Sequence, residues 1–158
     1  MKLASKLKAL LKSSEAEEKS ALLNLSSIEK VADSRKDKLF ELQARYQELA
    51  EKINNLATKV RQQSMQVGDV RRAATSASYR KRLEKELEDI ENQVSEQSED
   101  VKKAEQRVDL ARDELVETQI EKKKVEQLID RNEKSEEVIR RAREEQLTDD
   151  LINRKKPK

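Results

Sequence analysis

Residues 83–129 of the chain read LEKELEDIENQVSEQSEDVKKAEQRVDLARDELVETQIEKKKVEQLI. Apolar residues recur along this stretch at alternating spacings of four and three, at Leu83, Leu87, Ile90, Val94, Val101, Ala104, Val108, Ala111, Leu115, Val125 and Ile129. Only Gln97, Thr118 and Lys122 interrupt the pattern. Because a repeat of about 3.5 residues keeps one narrow stripe of a helix against a partner helix, the stretch predicts a coiled-coil helix. We call the residues of such a stripe the seam.

The composition of the chain favours long helices over a globular core. Of the 158 residues, 34% are hydrophobic, 43% are charged and 2% are aromatic, with one glycine and one proline. A charge-rich chain with few aromatic residues is either disordered or a long helix, and the sustained heptads predict the helix. The fold class predicted is all-α.

The charges and the missing residue types exclude several classes of function. Lys and Arg number 35 against 33 Asp and Glu, and the two signs are interspersed, which is unlike the basic stripe of a nucleic-acid binder. The chain has no His and no Cys, so the usual metal clusters and Cys/His nucleophiles are excluded. One glycine does not make a phosphate-binding loop. We therefore expect no enzyme activity, no cofactor and no nucleic-acid partner.

The opening residues 1–8 do not form a continuous apolar segment. Lysines interrupt the apolar residues there, which argues against a signal peptide or a transmembrane helix.

A second seam precedes the first in the chain. Its positions are Ala4, Leu7, Leu11, Ser14, Glu18, Ala21, Leu25, Ile28, Ala32, Arg35, Leu39, Leu42, Tyr46, Leu49, Ile53, Leu56, Val60, Gln63 and Val67. This pattern predicts a helix over about residues 3–65, with its densest apolar block at Leu49, Ile53 and Leu56.

The two seams are out of phase, and the only glycine lies between them. Gly68 is a natural helix stop, so we expect a turn within about residues 64–78. Residues 69–74 belong either to this turn or to a short helix of their own. Thr75, Ser76 or Ser78 would then cap a second helix over about residues 76–152, followed by a basic tail at 153–158. Residues 1–158 would form one domain.

Two apolar stripes joined by one turn predict a long two-helix antiparallel coiled-coil hairpin. Closure within one chain avoids the entropy of bringing two chains together, so we expect a monomer. The second helix is longer than the first, which leaves residues 141–158 without a partner inside the chain. Leu147, Leu151 and Ile152 in this overhang either bind another protein or fray into solvent.

The chain resembles the FliJ/YscO family of stalk proteins from the flagellar and injectisome type III export apparatus. Three segments carry the resemblance. The apolar start, Leu3 to Leu11, is followed by the charged run Glu15–Glu18, and Tyr79 leads into the second helix. The ending at residues 143–154 reads REEQLTDDLINR, which is similar to the family's terminal pattern of Arg, Glu-Gln, an acidic pair and a late Arg.

The resemblance implies a stalk like the central γ subunit of a rotary ATPase, located in the cytoplasm at the inner membrane of a bacterium. The paired helix ends would insert into a hexameric export ATPase and the other end would face the export gate, with a further link to export chaperones. The chain would reach the membrane only through these partners. The residues facing the ATPase would be Leu7, Leu11, Arg143, Gln146, Asp149, Asp150, Leu151 and Arg154. Arg82 stands where flagellar members often carry an aromatic residue, which weakens the expectation of gate contact there.

Two rival hypotheses remain at this point. The first is a structural coiled-coil dimer or spacer unrelated to secretion. The second is a membrane-surface helix formed by Leu3, Leu7, Leu10 and Leu11 with the neighbouring lysines, although Leu7 and Leu11 already belong to the seam. If the stalk hypothesis holds, the apparatus is either a flagellum or an injectisome.

Overall fold

A computed structural model of the protein describes residues 2–63 and 70–155, and all of them lie in two α-helices. Helix α1 spans Lys2–Gln63 and helix α2 spans Val70–Lys155. The long helices pack against each other, and the described ranges contain no strand. The predicted all-α, two-helix antiparallel hairpin is confirmed.

The chain divides into two structural units, and each of them pairs a part of α1 with a part of α2. Unit 1 comprises Met1–Leu25 and Ala111–Lys158, and unit 2 comprises Ser26–Leu110. The beginning of α1 therefore pairs with the later part of α2, and the remainder of α1 pairs with the earlier part. This order is that of an antiparallel pair. The prediction that residues 1–158 form one domain stays a prediction.

Burial follows the two predicted seams closely. In unit 2 the buried apolar residues are Ala32, Leu83, Val101, Ala104 and Val108, and in unit 1 they are Leu7 and Ala111. Almost all the other seam residues are half-buried, whereas the residues between them are mostly exposed. The predicted block at Leu49, Ile53 and Leu56 is only half-buried. A single partner helix leaves one side of most seam leucines in contact with water, and Leu7 and Leu83 are the exceptions.

The helix bounds differ from the predicted ones mainly at the start of α2. This helix begins at Val70 rather than near residue 76, so Thr75, Ser76 and Ser78 lie inside it and do not cap it. The segment has no glycine or proline after Gly68, and its arginines and alanines are strong helix formers. At the other end α2 continues through Lys155, past the predicted end at residue 152. Residues 64–69, which are the part of the predicted turn region 64–78 that contains Gly68, and residues 156–158 of the tail lie outside the described residues.

In the part of the chain that the structure describes, no helix is long and apolar enough to cross a membrane.

Candidate partner-binding surface

The later part of α2 is a helix without a covering neighbour in unit 1. Asn132 is its last half-buried residue, and every residue from 133 to 155 is exposed. We call residues 133–155 the C-terminal extension. At a rise of about 1.5 Å per residue the extension is about 35 Å long. It begins earlier than the predicted overhang, which started at residue 141.

The extension continues the face that packs against α1 further upstream. Heptad steps from Ile129, which is half-buried, lead to Glu136, Arg143 and Asp150, and residues seven apart lie on one face of a coiled-coil helix. Heptad steps from Asn132 lead in the same way to Ile139 and Gln146. Arg143, Gln146 and Asp150 therefore occupy seam positions beyond the point where α1 covers the seam.

Large apolar side chains are exposed along the extension. Leu147 is 63% exposed and Leu151 is 56% exposed, and Val138, Ile139 and Ile152 are also exposed. Leu147 lies between Arg143 and Asp150, four and three residues away, so it shares their face. Arg154 follows Asp150 by four residues and lies on the same side. The extension thus presents a stripe of mixed apolar and charged side chains.

Asp149 lies on a different side of the helix. It lines a shallow polar surface with Arg141, Glu144, Glu145 and Thr148. The Thr148 hydroxyl donates a hydrogen bond of 2.8 Å to the Glu144 carbonyl, and the Arg141 guanidinium lies 2.9 Å from the Glu137 carboxylate. These contacts stay within α2. Of the residues predicted to face the ATPase, Asp149 is therefore separated from Arg143, Asp150 and Arg154.

Leu7 and Leu11 lie in the interface of the two helices of unit 1. Leu7 is only 7% exposed and Leu11 is half-buried, because both are seam residues. Leu3 and Leu10 point outward and are exposed. A membrane-surface face at the start of α1 would therefore have only these last two leucines.

The hairpin of unit 1 also contains an ion pair in its seam, which sequence reasoning did not find. The Lys122 ammonium lies 3.0 Å from a Glu18 carboxylate oxygen, and the side chains are 29% and 19% exposed, respectively. The hydrogen bond to Glu18 and the attraction of its negative charge raise the pKa of Lys122 above 10.5, with smaller contributions from Glu126 and Glu15. The signal was present in the sequence, since Glu18 and Lys122 are the charged interruptions of the two seams in the paired part of this unit.

Comparison with known proteins identifies the family of the chain. The family model described as the flagellar FliJ protein matches residues 2–155. The chain belongs to the FliJ family. This is a family of flagellar and type III export stalk proteins, so the resemblance found in the sequence is confirmed. No curated protein and no solved structure matches the chain.

FliJ membership makes this chain a structural component of the flagellar type of export apparatus. The match covers α1 and α2 in full, including the C-terminal extension. The matched region thus includes the extension as well as the paired parts of the two helices.

Proposed function

We propose that this FliJ-family chain is the stalk that joins the hexameric export ATPase to the export gate. The observation that carries the proposal is the C-terminal extension, a helix of 23 consecutive exposed residues (133–155) that displays leucines. Several large apolar side chains exposed along one helix segment mark a protein-interaction surface, whereas singly exposed ones are common on any protein.

The chemistry of the extension suits the inside of a protein ring. Arg143, Asp150 and Arg154 can form ion pairs or hydrogen bonds with loops around a central hole. Leu147 and Leu151 give an apolar contact that is not directional and so tolerates rotation. Leu7 and Leu11 would contribute by holding α1 against α2 at the base of the extension, rather than by touching the ring. Asp149 would face a different part of the ring.

The remaining roles proposed for the chain follow from its family. The end of the hairpin near Gly68 would face the export gate, with Arg82 in place of the family's aromatic residue as a point of difference. Export chaperones are further candidate partners. The chain would work in the cytoplasm, at the inner membrane, and reach the membrane through its partners. Since the matching family is a flagellar one, we assign the chain to a flagellum before an injectisome.

Two variants of the extension test the assignment to the ATPase. Truncation after Arg140, and separately Leu147→Asp with Leu151→Asp, should abolish binding to the export ATPase and stimulation of ATP hydrolysis. Both should leave the melting temperature of the hairpin almost unchanged, because the described residues of this segment are all exposed and so add little to the packing of α1 against α2.

A matched control uses two leucines with similar exposure elsewhere. Leu23 is 65% exposed and Leu110 is 64% exposed, and Leu23→Asp with Leu110→Asp adds the same charge outside the extension. This control should bind and stimulate the ATPase normally. Normal stimulation by both extension variants would refute ring insertion, and the structural dimer or spacer would then be the better hypothesis.

A further inference from the structure

The heptad pattern of unit 1 leaves the alignment of its two helices undetermined. A coiled-coil seam repeats every seven residues, so sliding α1 past α2 by seven residues again places apolar side chains against apolar side chains. Only the residues that break the repeat distinguish one alignment from the next. Where α1 covers the seam of α2 in unit 1, the charged residues that break the repeat are Glu18 and Lys122, and they contact each other at 3.0 Å.

A slip of seven residues would separate this pair in either direction. Leu11 and Leu25 lie seven residues before and after Glu18 in the seam of α1. Lys122 would therefore move from Glu18 to one of these leucines, and its ammonium would lose its carboxylate partner in a partly covered position.

The same slip is unfavourable for Glu18. Leu115 and Ile129 lie seven residues before and after Lys122 in the seam of α2, so the Glu18 carboxylate would lie beside one of them. Leaving a partly buried charge unpaired is more costly than the pair itself is stabilising. The native alignment is thus the one in which both charges are paired.

We propose that Glu18 and Lys122 are positioning residues that set the alignment of α1 against α2 in unit 1. A shift by one heptad would move the start of α1 about 10 Å along α2. The pair thereby determines how much of α2 extends beyond α1. The importance of that length for ATPase binding rests on the proposed function, whereas the alignment itself does not.

The test measures the distance between spin labels at Ser5 and Thr148, both exposed residues of unit 1. The chain contains no cysteine, so two engineered cysteines take the labels cleanly. Dilution with unlabelled protein restricts the signal to pairs within one chain. The unaltered chain should give one distance. Glu18→Leu with Lys122→Leu, which removes both charged interruptions from the paired seam of unit 1, should add a second population shifted by about 10 Å.

Two controls accompany this variant. Glu17→Leu with Lys123→Leu makes the same chemical change at exposed neighbouring positions and should keep the single distance. Lys122→Arg preserves the charge and should also keep it. Replacing a buried ion pair by apolar residues is often neutral or stabilising, so the variant should remain helical. A single unshifted distance in Glu18→Leu with Lys122→Leu would overturn the proposal, whatever the result with the ATPase.

Discussion

Small and medium-sized side chains are the most completely buried residues of this protein. Ala32 and Ala104 are each 3% exposed, whereas most seam leucines are half-buried. Two polar residues of the seam, Gln97 and Thr118, form hydrogen bonds with backbone carbonyls. The Gln97 amide is buried and donates a hydrogen bond of 2.9 Å to the Arg35 carbonyl, and the Thr118 hydroxyl donates to the carbonyl of Leu115 in its own helix. At this scale, size and hydrogen bonding decide which side chains lie inside.

Substitution of Leu83 measures how much the seam contributes to the free energy of unfolding. Leu83 is the most buried leucine, at 5% exposure, so Leu83→Ala should reduce the free energy of unfolding by about 2–3 kcal/mol. The control is Leu110→Ala at an exposed position, for which we expect a change below about 0.5 kcal/mol. Urea unfolding followed by circular dichroism measures both, and equal losses would mean that the seam is assigned incorrectly.

The Glu18–Lys122 pair predicts a pH dependence of stability. Because Glu18 raises the pKa of Lys122, the stabilising contribution of the pair is fully present at pH values below the ordinary lysine pKa of 10.5. It is lost as the pH rises through the higher pKa of the folded protein. The stability difference between the unaltered chain and Glu18→Gln should therefore be constant at neutral pH and decrease above pH 10.5. Glu17→Gln is the exposed control. A stability difference between the unaltered chain and Glu18→Gln that stays unchanged at high pH would contradict the pairing.

At the scale of the element, α2 is one helix with two different environments. Upstream of Asn132 its seam is covered by α1, and in residues 133–155 every side chain is exposed. Ion pairs within the helix, Asp130–Lys134 and Glu137–Arg141, support this region locally. Exposed pairs of this kind contribute only about 0.3–0.5 kcal/mol each, and most helical stability in proteins comes from packing. The extension should therefore be the least stable part of α2.

Hydrogen exchange checks this difference within α2. Backbone amides at residues 133–155 should exchange at least about tenfold faster than those at residues 101–111, because the exposed side chains of the extension contribute little to packing against α1. Binding to the export ATPase should then slow exchange in the extension selectively. Equal protection of the two segments in the free protein would show that something covers the extension.

At the scale of the whole molecule, the hairpin closes within one chain. Unit 2 places Gln47 and Glu91 along the same groove between its helices, together with Tyr46 and Val94. Ion pairing across the helices, as between Lys36 and Glu105 at 3.3 Å, accompanies the apolar contacts. We therefore expect the helix pair to form within a monomer.

Spin labels at Gln47 and Glu91 test intramolecular closure. They should lie within about 20 Å of each other, since the axes of packed helices are roughly 8–10 Å apart. Mixing with unlabelled protein should not change this distance, and light scattering should give the mass of a monomer. Loss of the short distance on mixing, together with a dimer mass, would show that two chains form the helix pair.

The sequence by itself determined the fold class, both seams and the family. Each of these depends on a local pattern, such as the spacing of Leu83, Leu87 and Ile90. Such a pattern can be recognised without knowing what the helix packs against. The exposed character of residues 141–155 also followed from the sequence, because α1 is too short to cover them. The start of α2 was missed because Arg and Ala residues after Gly68 continue a helix as readily as they enter a turn.

The tertiary structure alone decided which residues of the two helices meet. A heptad repeat looks the same after a shift of seven residues, so the sequence did not pair Glu18 with Lys122 or Gln97 with Arg35. Those outcomes depend on the alignment of one helix against another, a relation between distant parts of the chain that no local periodicity contains.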